Sequence, residues 1–389
     1  MKNYLAILII LLFCGCQEST NTNHFAIQLE KKRVLKEVKK YFNIEPITIT
    51  SFFAERSAGT KNDFYSEGDY WWPNPKYPDS SYIRKDGLSN PNNFVAHRRA
   101  MVMLSQISGA LASAYLVTKD KKYIKDLINH LNAWFVNSDT KMNPNLLYAQ
   151  AIKGRVTGRG IGIIDTIHLI EVAKAVEVVE ASNMMSKEEL MKIKHWFLDY
   201  SIWLTTHEYG VKERDHGNNH STYWTMQVAA FAKLNDNEEL LDFCRTFFKE
   251  TLLPNQMAED GGFPDELSRT KPYSYSRFNL DGFFGLAQII STEKNNMFIY
   301  KTEDGKSLKL GLEFMYPYLK NKNDWPYKKD VTHWEDWPAK HTALLFGGLN
   351  FKNEDYINLW AKLPEPSSDK YELMRVTSIR YPLLWISEN

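Results

Sequence analysis

Cysteine is scarce in this 389-residue sequence: there are three, and two of them, Cys14 and Cys16, fall within the first sixteen residues. Cys244 alone is left for the rest of the chain, so no disulfide framework holds the fold together. In Leu240-Leu241-Asp242-Phe243-Cys244 the thiol lies on an apolar helical stretch and reads as core, not as a nucleophile. Net charge is also lacking. Lys+Arg number 48 against 47 Asp+Glu, a formal charge of +1, which leaves no global basic field to hold DNA or RNA. A polyanionic ligand must therefore be drawn by local basic clusters. Low-complexity blocks and strong internal repeats are absent. Strand-like alternation is confined to short pieces such as Ile47 to Phe52.

What is present describes a globular protein: 43% hydrophobic and 24% charged residues, with 19 Gly and 15 Pro. The length fits one large domain or two smaller ones. At the N-terminus Lys2 precedes an apolar run, Tyr4 to Cys14, that ends at Gly15-Cys16 and then turns polar. The run is too short to span a bilayer and has the layout of a secretory signal. A Cys after a small residue resembles the bacterial lipoprotein box, in which Cys16 is lipidated, although Phe13 stands where that box usually has Leu. An ordinary cleaved signal is the alternative. The expected organisation is a signal over 1–16, a polar tether over 17–27 and a single folded domain over 28–389. The expected location is the cell envelope after export, with the membrane touched only through a lipid anchor.

Beyond the tether, apolar residues recur at helical spacing. Ser186 and Glu189 have capping-box spacing, and Leu190, Ile193, Phe197, Tyr200 and Leu204 follow along one face. Tyr123, Leu127 and Leu131 make a similar face, as do Val172, Val176 and Val179. Further helices are expected over about 28–42, 94–118, 218–234, 237–250, 278–291, 306–320 and 352–362. The fold is mostly α, and a bundle, a solenoid and an α/α toroid all satisfy the pattern. Two non-helical insertions, 55–93 and 251–277, are rich in Gly, Pro, Tyr and charge, which suits functional loops on a helical scaffold.

Three constellations could carry chemistry. Asp215-His216-Gly217-Asn218-Asn219-His220 leads into an apolar segment, which puts Asn219 and His220 at a helix N-terminus. Asn218 or Asn219 could be a helix cap and nothing more. His216 and His220, four apart with Asp215 beside them, offer zinc ligands, but Gly217 and the paired Asn break the helix that this spacing needs. His207-Glu208 opens a His-Glu-x-x-His signature that Val211 spoils. In the second constellation Arg269 stands six residues before Tyr275, in a loop that runs into a helix. The pair reads either as a surface salt bridge and a packing ring, or as a planar fork that neutralises a carboxylate beside a phenol that moves a proton. The third, Gly68-Asp69-Tyr70-Trp71-Trp72-Pro73-Asn74-Pro75, offers rings for a hydrophobic plug or for a platform under sugar faces.

These segments, with Tyr148-Ala149-Gln150-Ala151, Gly158-Arg159-Gly160-Ile161-Gly162-Ile163-Ile164-Asp165, Glu266-Leu267-Ser268-Arg269 and Tyr275-Ser276-Arg277-Phe278-Asn279-Leu280, resemble the alginate lyase domain family over about residues 65 to 285. The resemblance implies an all-α toroid of antiparallel helical hairpins, a closed or incomplete α/α barrel with a cleft across one end. It also implies β-elimination on a β-1,4-linked uronan, with mannuronate-rich alginate first and glucuronan as the nearest rival. In that chemistry the proton at C5 leaves while the C4 oxygen departs, and the adjacent carboxylate must be neutralised so that the developing charge is stabilised. By resemblance Asn219 and Arg269 do this, His220 assists, and Tyr275 carries the proton, with Tyr273 as the alternative because the Arg-to-Tyr spacing varies. For mannuronate, proton and leaving oxygen share a face, so one Tyr serves as base and then acid. For guluronate they lie on opposite faces, and His220 becomes the base with Tyr275 as acid; the glucuronan alternative is read with the same two roles. Tyr70, Trp71, Trp72, Asn74, Arg155, Arg159, Lys271 and Tyr273 are the expected substrate contacts, each equally open to a packing or surface role. The mechanism asks for no metal or other cofactor, and no nucleic acid is an expected partner. A non-catalytic glycan-binding lipoprotein and a metal-dependent glycoside hydrolase are the readings from other classes.

Overall fold

The computed structural model describes residues 14–77 and 79–386. The expected signal segment lies outside the described residues except for the backbone of its last three, so nothing bears on the Cys16 side chain. Among the described residues there are fifteen α-helices. In chain order they are α1 (Cys14–Glu37), α2 (Ala96–Thr118), α3 (Lys121–Phe135), α4 (Leu169–Ser182), α5 (Lys187–Thr206), α6 (Glu208–Arg214), α7 (Asn219–Leu234), α8 (Glu238–Phe247), α9 (Leu253–Gln256), α10 (Pro264–Leu267), α11 (Pro272–Ile290), α12 (Leu308–Lys320), α13 (Thr342–Phe351), α14 (Glu354–Lys362) and α15 (Tyr371–Arg375).

The helices form two layers of an α/α toroid. In the inner layer α2, α4, α7, α11 and α13 pack one against the next, while α3, α5, α8, α12 and α14 pack outside them. Sequence pattern sets the layer. Along α7 nearly every residue from Asn219 to Leu234 is buried, and α11 is buried almost throughout, as helices with neighbours on all sides must be. By length and composition α2 could cross a membrane, yet most of it is buried inside the protein as an inner helix. The outer α3 instead shows a stripe, Ile124, Leu127, Leu131 and Trp134, facing inward and a polar face outward. Truncation of one such side chain, Leu127→Ala, is expected to cost about 2–5 kcal/mol. Cys244 is fully buried on α8, as its apolar setting indicated.

Caps define the helix starts. Asp120, Ser186, Asn218, Asn237, Ser307 and Asn353 each accept a first-turn backbone N–H with a side-chain oxygen. The ring of inner helices is incomplete. Between α13 and α2 the gap is bridged by α1 and by the C-terminal segment around α15. That segment lies close: a Cβ on Gly109 of α2 would fall 2.3 Å from the Tyr381 ring.

Strands are few and short. β1 (Tyr65–Glu67) pairs in parallel with β4 (Tyr148–Ala151), and β2 (Trp71–Trp72) pairs antiparallel with β3 (Ile83–Arg84), Trp71 opposite Arg84. The strand-like piece at Ile47–Phe52 is not a strand. It contains a 3₁₀ turn, Ile49–Ser51, because the Thr48 and Ser51 side chains bond back to backbone and compete with extended pairing. The segment expected as a polar tether is helical, since Ala26, Ile27 and Val34 supply α1 with a buried face that starts before residue 28. α11 begins at Pro272, six residues before the expected start at 278. Proline suits a first helical position, and Asp330 accepts the backbone N–H of both Tyr273 and Ser274 at 3.0 Å.

Candidate active site

A cleft of about 360 Å³ opens across one end of the toroid, walled by both insertions, the N-terminus of α7, the first turn of α11 and the C-terminal segment. Asn219, His220, Arg269 and Tyr275 all line it, together with Tyr70, Trp71, Arg159 and Lys271.

Asn218 is the cap of α7, its Oδ1 accepting the His220 N–H at 3.1 Å, so Asn219 is free for other work. Asn219 is buried, and its backbone N–H and Nδ2 both donate to Glu266 Oε1 at 2.8 Å. This bond fixes the amide orientation and leaves the second Nδ2 proton for the cleft. Glu266 belongs to α10 and is fully buried; burial pushes its carboxyl above the usual range, and Oε2 has no hydrogen-bond partner among the described residues. His220 is held in a parallel way, with Nδ1 at 2.6 Å from Oε1 of the buried Glu213 on α6. Burial pushes the Glu213 carboxyl up, against the pull of His220; when Glu213 is ionised it only accepts, so Nδ1 then carries the proton and Nε2 is left for a ligand. His216 lies beside it with ring centroids 4.7 Å apart, and burial together with His220 holds its imidazole down to about 4. Asp215 pairs with Arg214 instead of turning toward the two histidines. No group of three His, Cys, Asp or Glu among the described residues is arranged to hold a metal ion.

On the other wall, Tyr275 Oη lies 2.6 Å from Tyr70 Oη and accepts from Arg269 Nη2 at 3.3 Å. The Arg269 guanidinium also covers the Tyr275 ring at 4.3 Å from its centroid. Lys271 Nζ lies 5.3 Å from the Tyr70 ring and 5.5 Å from that of Tyr275. Asp86, in the first insertion, accepts from Arg269 Nη2 at 3.0 Å and Nε at 3.4 Å, from Thr270 Oγ1 at 2.8 Å and from Arg84 Nη2 at 2.6 Å. Burial opposes its charge, but Arg269 prevails and holds the carboxyl down to about 2.

The floor is an ionic network. Asp69 accepts from Arg98 at 2.7 and 2.8 Å and from Arg375 at 2.6 Å. Burial disfavours its charge, yet Arg375 and Arg98 hold it at about 2. Asp165 accepts from Arg98, Ser66 and Gln150, and Gln150 in turn grips Arg159 through both its backbone and side-chain oxygens. Gln150 sits at φ 49°, a left-handed conformation that a non-glycine residue adopts only when its surroundings enforce it. With the floor's acids each engaged by arginine, Arg84, Arg159, Arg269, Lys271 and Arg375 give the cleft the local positive field that the net charge lacks.

Four expected contacts are placed elsewhere. Tyr273 is fully buried, its Oη donating to the Tyr318 carbonyl at 3.2 Å and its ring packed on Trp325 and Trp334. Two positions apart on one helix, Tyr273 and Tyr275 face opposite ways, so only Tyr275 reaches the cleft. Trp72 does not line the cleft: Nε1 bonds the Leu88 carbonyl and Lys85 lies over its ring. Asn74 closes a local turn by accepting the Lys76 N–H. Arg155 is exposed outside the cleft, bonded to the Tyr82 carbonyl with its guanidinium 5.0 Å from the Trp71 ring. Trp71 thus has a cation against it, where a hydrophobic plug and a sugar platform were the two readings. Glu213, Asp86, Arg84 and Arg375 were not legible as site residues. Each reaches the site from a remote or unpatterned segment, whereas Glu266 and Gln150 stand inside quoted motifs.

The alginate lyase family matches residues 48–325, and the chain belongs to that family. It is a polysaccharide lyase. The crystal structure of an alginate lyase from Bacteroides ovatus is 28% identical and superposes with a TM-score of 0.82, over 96% of this chain and 98% of that one. Alginate lyase A1-III from Sphingomonas species A1 is 13% identical with a TM-score of 0.57, over 93% and 95%. A histidine-to-alanine form of A1-III complexed with tetrasaccharide gives 13%, 0.59, 93% and 94%. At 13% identity these two speak for the fold alone. No curated protein matches the sequence.

Proposed function

We propose that this lyase cleaves mannuronate-rich alginate by β-elimination. Asn219, Arg269 and His220 neutralise the uronate carboxylate, and Tyr275 takes the C5 proton and returns it to the departing C4 oxygen. The observation that carries this reading is the Tyr275 phenol, 2.6 Å from Tyr70 and 3.3 Å from Arg269, in one cleft with Asn219 and His220. A hydrogen-bonded pair of phenols among cations, with Arg269 on Tyr275, suits elimination with proton and leaving group on one face. No step calls for a metal or an organic cofactor.

Ultraviolet absorbance from unsaturated ends tests the proposal, with polymannuronate, polyguluronate and glucuronan supplied separately to the protein and to Tyr275→Phe. The expected result is a rise on polymannuronate that the variant abolishes. A rise on polyguluronate alone would instead assign His220 as base and Tyr275 as acid, whereas a rise on glucuronan alone would name that polymer and keep Tyr275 in both roles, because glucuronate shares mannuronate's configuration at C4 and C5. Binding without turnover on any polymer would make the protein a glycan binder. We further propose export and lipidation at Cys16; loss of membrane fractionation in Cys16→Ala is the expected result.

A further inference from the structure

We infer that Asp86 is a positioning residue for the reaction, acting through Arg269; the role in turnover rests on the proposed function, the geometry does not. A guanidinium offers two edges to carboxylates. Asp86 occupies one of them, with Nη2 at 3.0 Å and Nε at 3.4 Å. Among the described residues no hydrogen bond takes Nη1, so that end is left for a second carboxylate. The grip is itself anchored. Thr270 and Arg84 hold the two Asp86 oxygens, and the following residue, Gly87, has φ 77° and lies so close that a Cβ there would sit 2.5 Å from Thr270 Oγ1. Asp86 and Arg269 come from the two different insertions, 183 positions apart, so this contact sets where one wall of the cleft stands relative to the other.

The consequence is a fixed Arg269, with Nη2 on Tyr275 and Nη1 open, before substrate arrives. An arginine that had to find this pose on each turnover would lose the benefit of preorganised charge. Asp86 therefore keeps its hold while the substrate carboxylate binds the opposite end.

The test measures kcat and KM on the cleaved uronan for the parent, Asp86→Asn, Arg269→Lys and the double variant. Asp86→Asn is expected to lower kcat by about 10- to 100-fold. In the Arg269→Lys background the same change is expected to matter less than about twofold, because lysine has no second edge to grip. Equal losses in both backgrounds would show a merely structural role and overturn the inference. A lower KM with unchanged kcat would overturn it too, by making Asp86 a competitor that substrate displaces. Independently of turnover, the Arg269 Nε–H resonance, assigned by its loss in Arg269→Lys, should exchange slowly with solvent in the parent and fast in Asp86→Asn. Slow exchange in both sinks the inference. If the parent turns over no uronan, this signature still decides the positioning, and only the substrate assignment fails.

Discussion

Tyr70 of the first insertion and Tyr275 in the first turn of α11 stand 205 positions apart and meet through a 2.6 Å hydrogen bond between their phenol oxygens. Burial disfavours a phenolate at Tyr70, but Lys271 and Arg375 outweigh it and bring that group below its ordinary value. Burial and the neighbouring Tyr70 push Tyr275 well above its own. The pair thus gives up one proton more readily than a free phenol and the second less readily.

Tyr275→Phe should lower kcat by about 10²- to 10⁴-fold, the usual range for a lost acid–base group. Tyr273→Phe should leave kcat within about twofold, since its hydroxyl only bonds the Tyr318 carbonyl. Tyr70→Phe removes the neighbour that, with burial, pushes the Tyr275 phenol up, so the pH at which activity rises should move downward. Initial rates against pH for the three variants check all of this.

Asn219→Ala should cost about 10²- to 10³-fold in kcat, the price of one donor aimed at developing charge. Glu213→Gln keeps the shape but frees His220 to turn, because the Nδ1 partner at 2.6 Å loses its charge. A fall of about tenfold or more in kcat/KM is expected. No change in kcat/KM for Glu213→Gln would remove His220 from the mechanism.

Asp69 lies between Arg98 and Arg375; Asp69 and Arg98 are buried and Arg375 is half-buried. Asp69→Asn leaves both guanidinium groups short of countercharge and should destabilise the fold by about 3–5 kcal/mol in denaturant unfolding. A loss under 1 kcal/mol would mean that Asp165 and Glu372 compensate.

His168 is fully buried and accepts from Arg380 Nη2 at 3.0 Å through Nδ1, so it is neutral in the folded protein. Burial, then Arg380 and other cations, hold it well below 6.5. Unfolded, it takes up a proton near 6.5, so stability falls as pH drops below that value. The slope contributed is up to about 1.4 kcal/mol per pH unit. His168→Gln should flatten the fall between pH 6.5 and 5 in urea titrations, and an unchanged slope would contradict this account.

Periodicity revealed the helices because inner and outer layers bury different fractions of each turn, and α3 and α7 differ visibly in sequence. It did not select the toroid over a bundle; the motifs did that by resemblance. The site was legible where its residues stand in local patterns, as with Asn219-His220 and Arg269 before Tyr275. The partners that aim these residues were not. Glu213 and Asp86 act through side chains brought together by the tertiary fold, and an isolated carboxylate in a sequence looks like any solvated one. The misplaced Tyr273 has a simple cause: the helix starts at Pro272, and its first turn sorts alternate residues to opposite faces.

Arg375 and Arg380 lie beyond the matched family region, yet they bond Asp69 in the first insertion and Glu171 in α4. The end of the chain is thereby wired into its first half. During synthesis the early helices emerge with Asp69 and Glu171 still lacking these partners, and the cleft floor is assembled only once residues 371–386 have left the ribosome. A chain cut before Tyr371 should consequently fail as a whole, losing cooperative unfolding together with turnover.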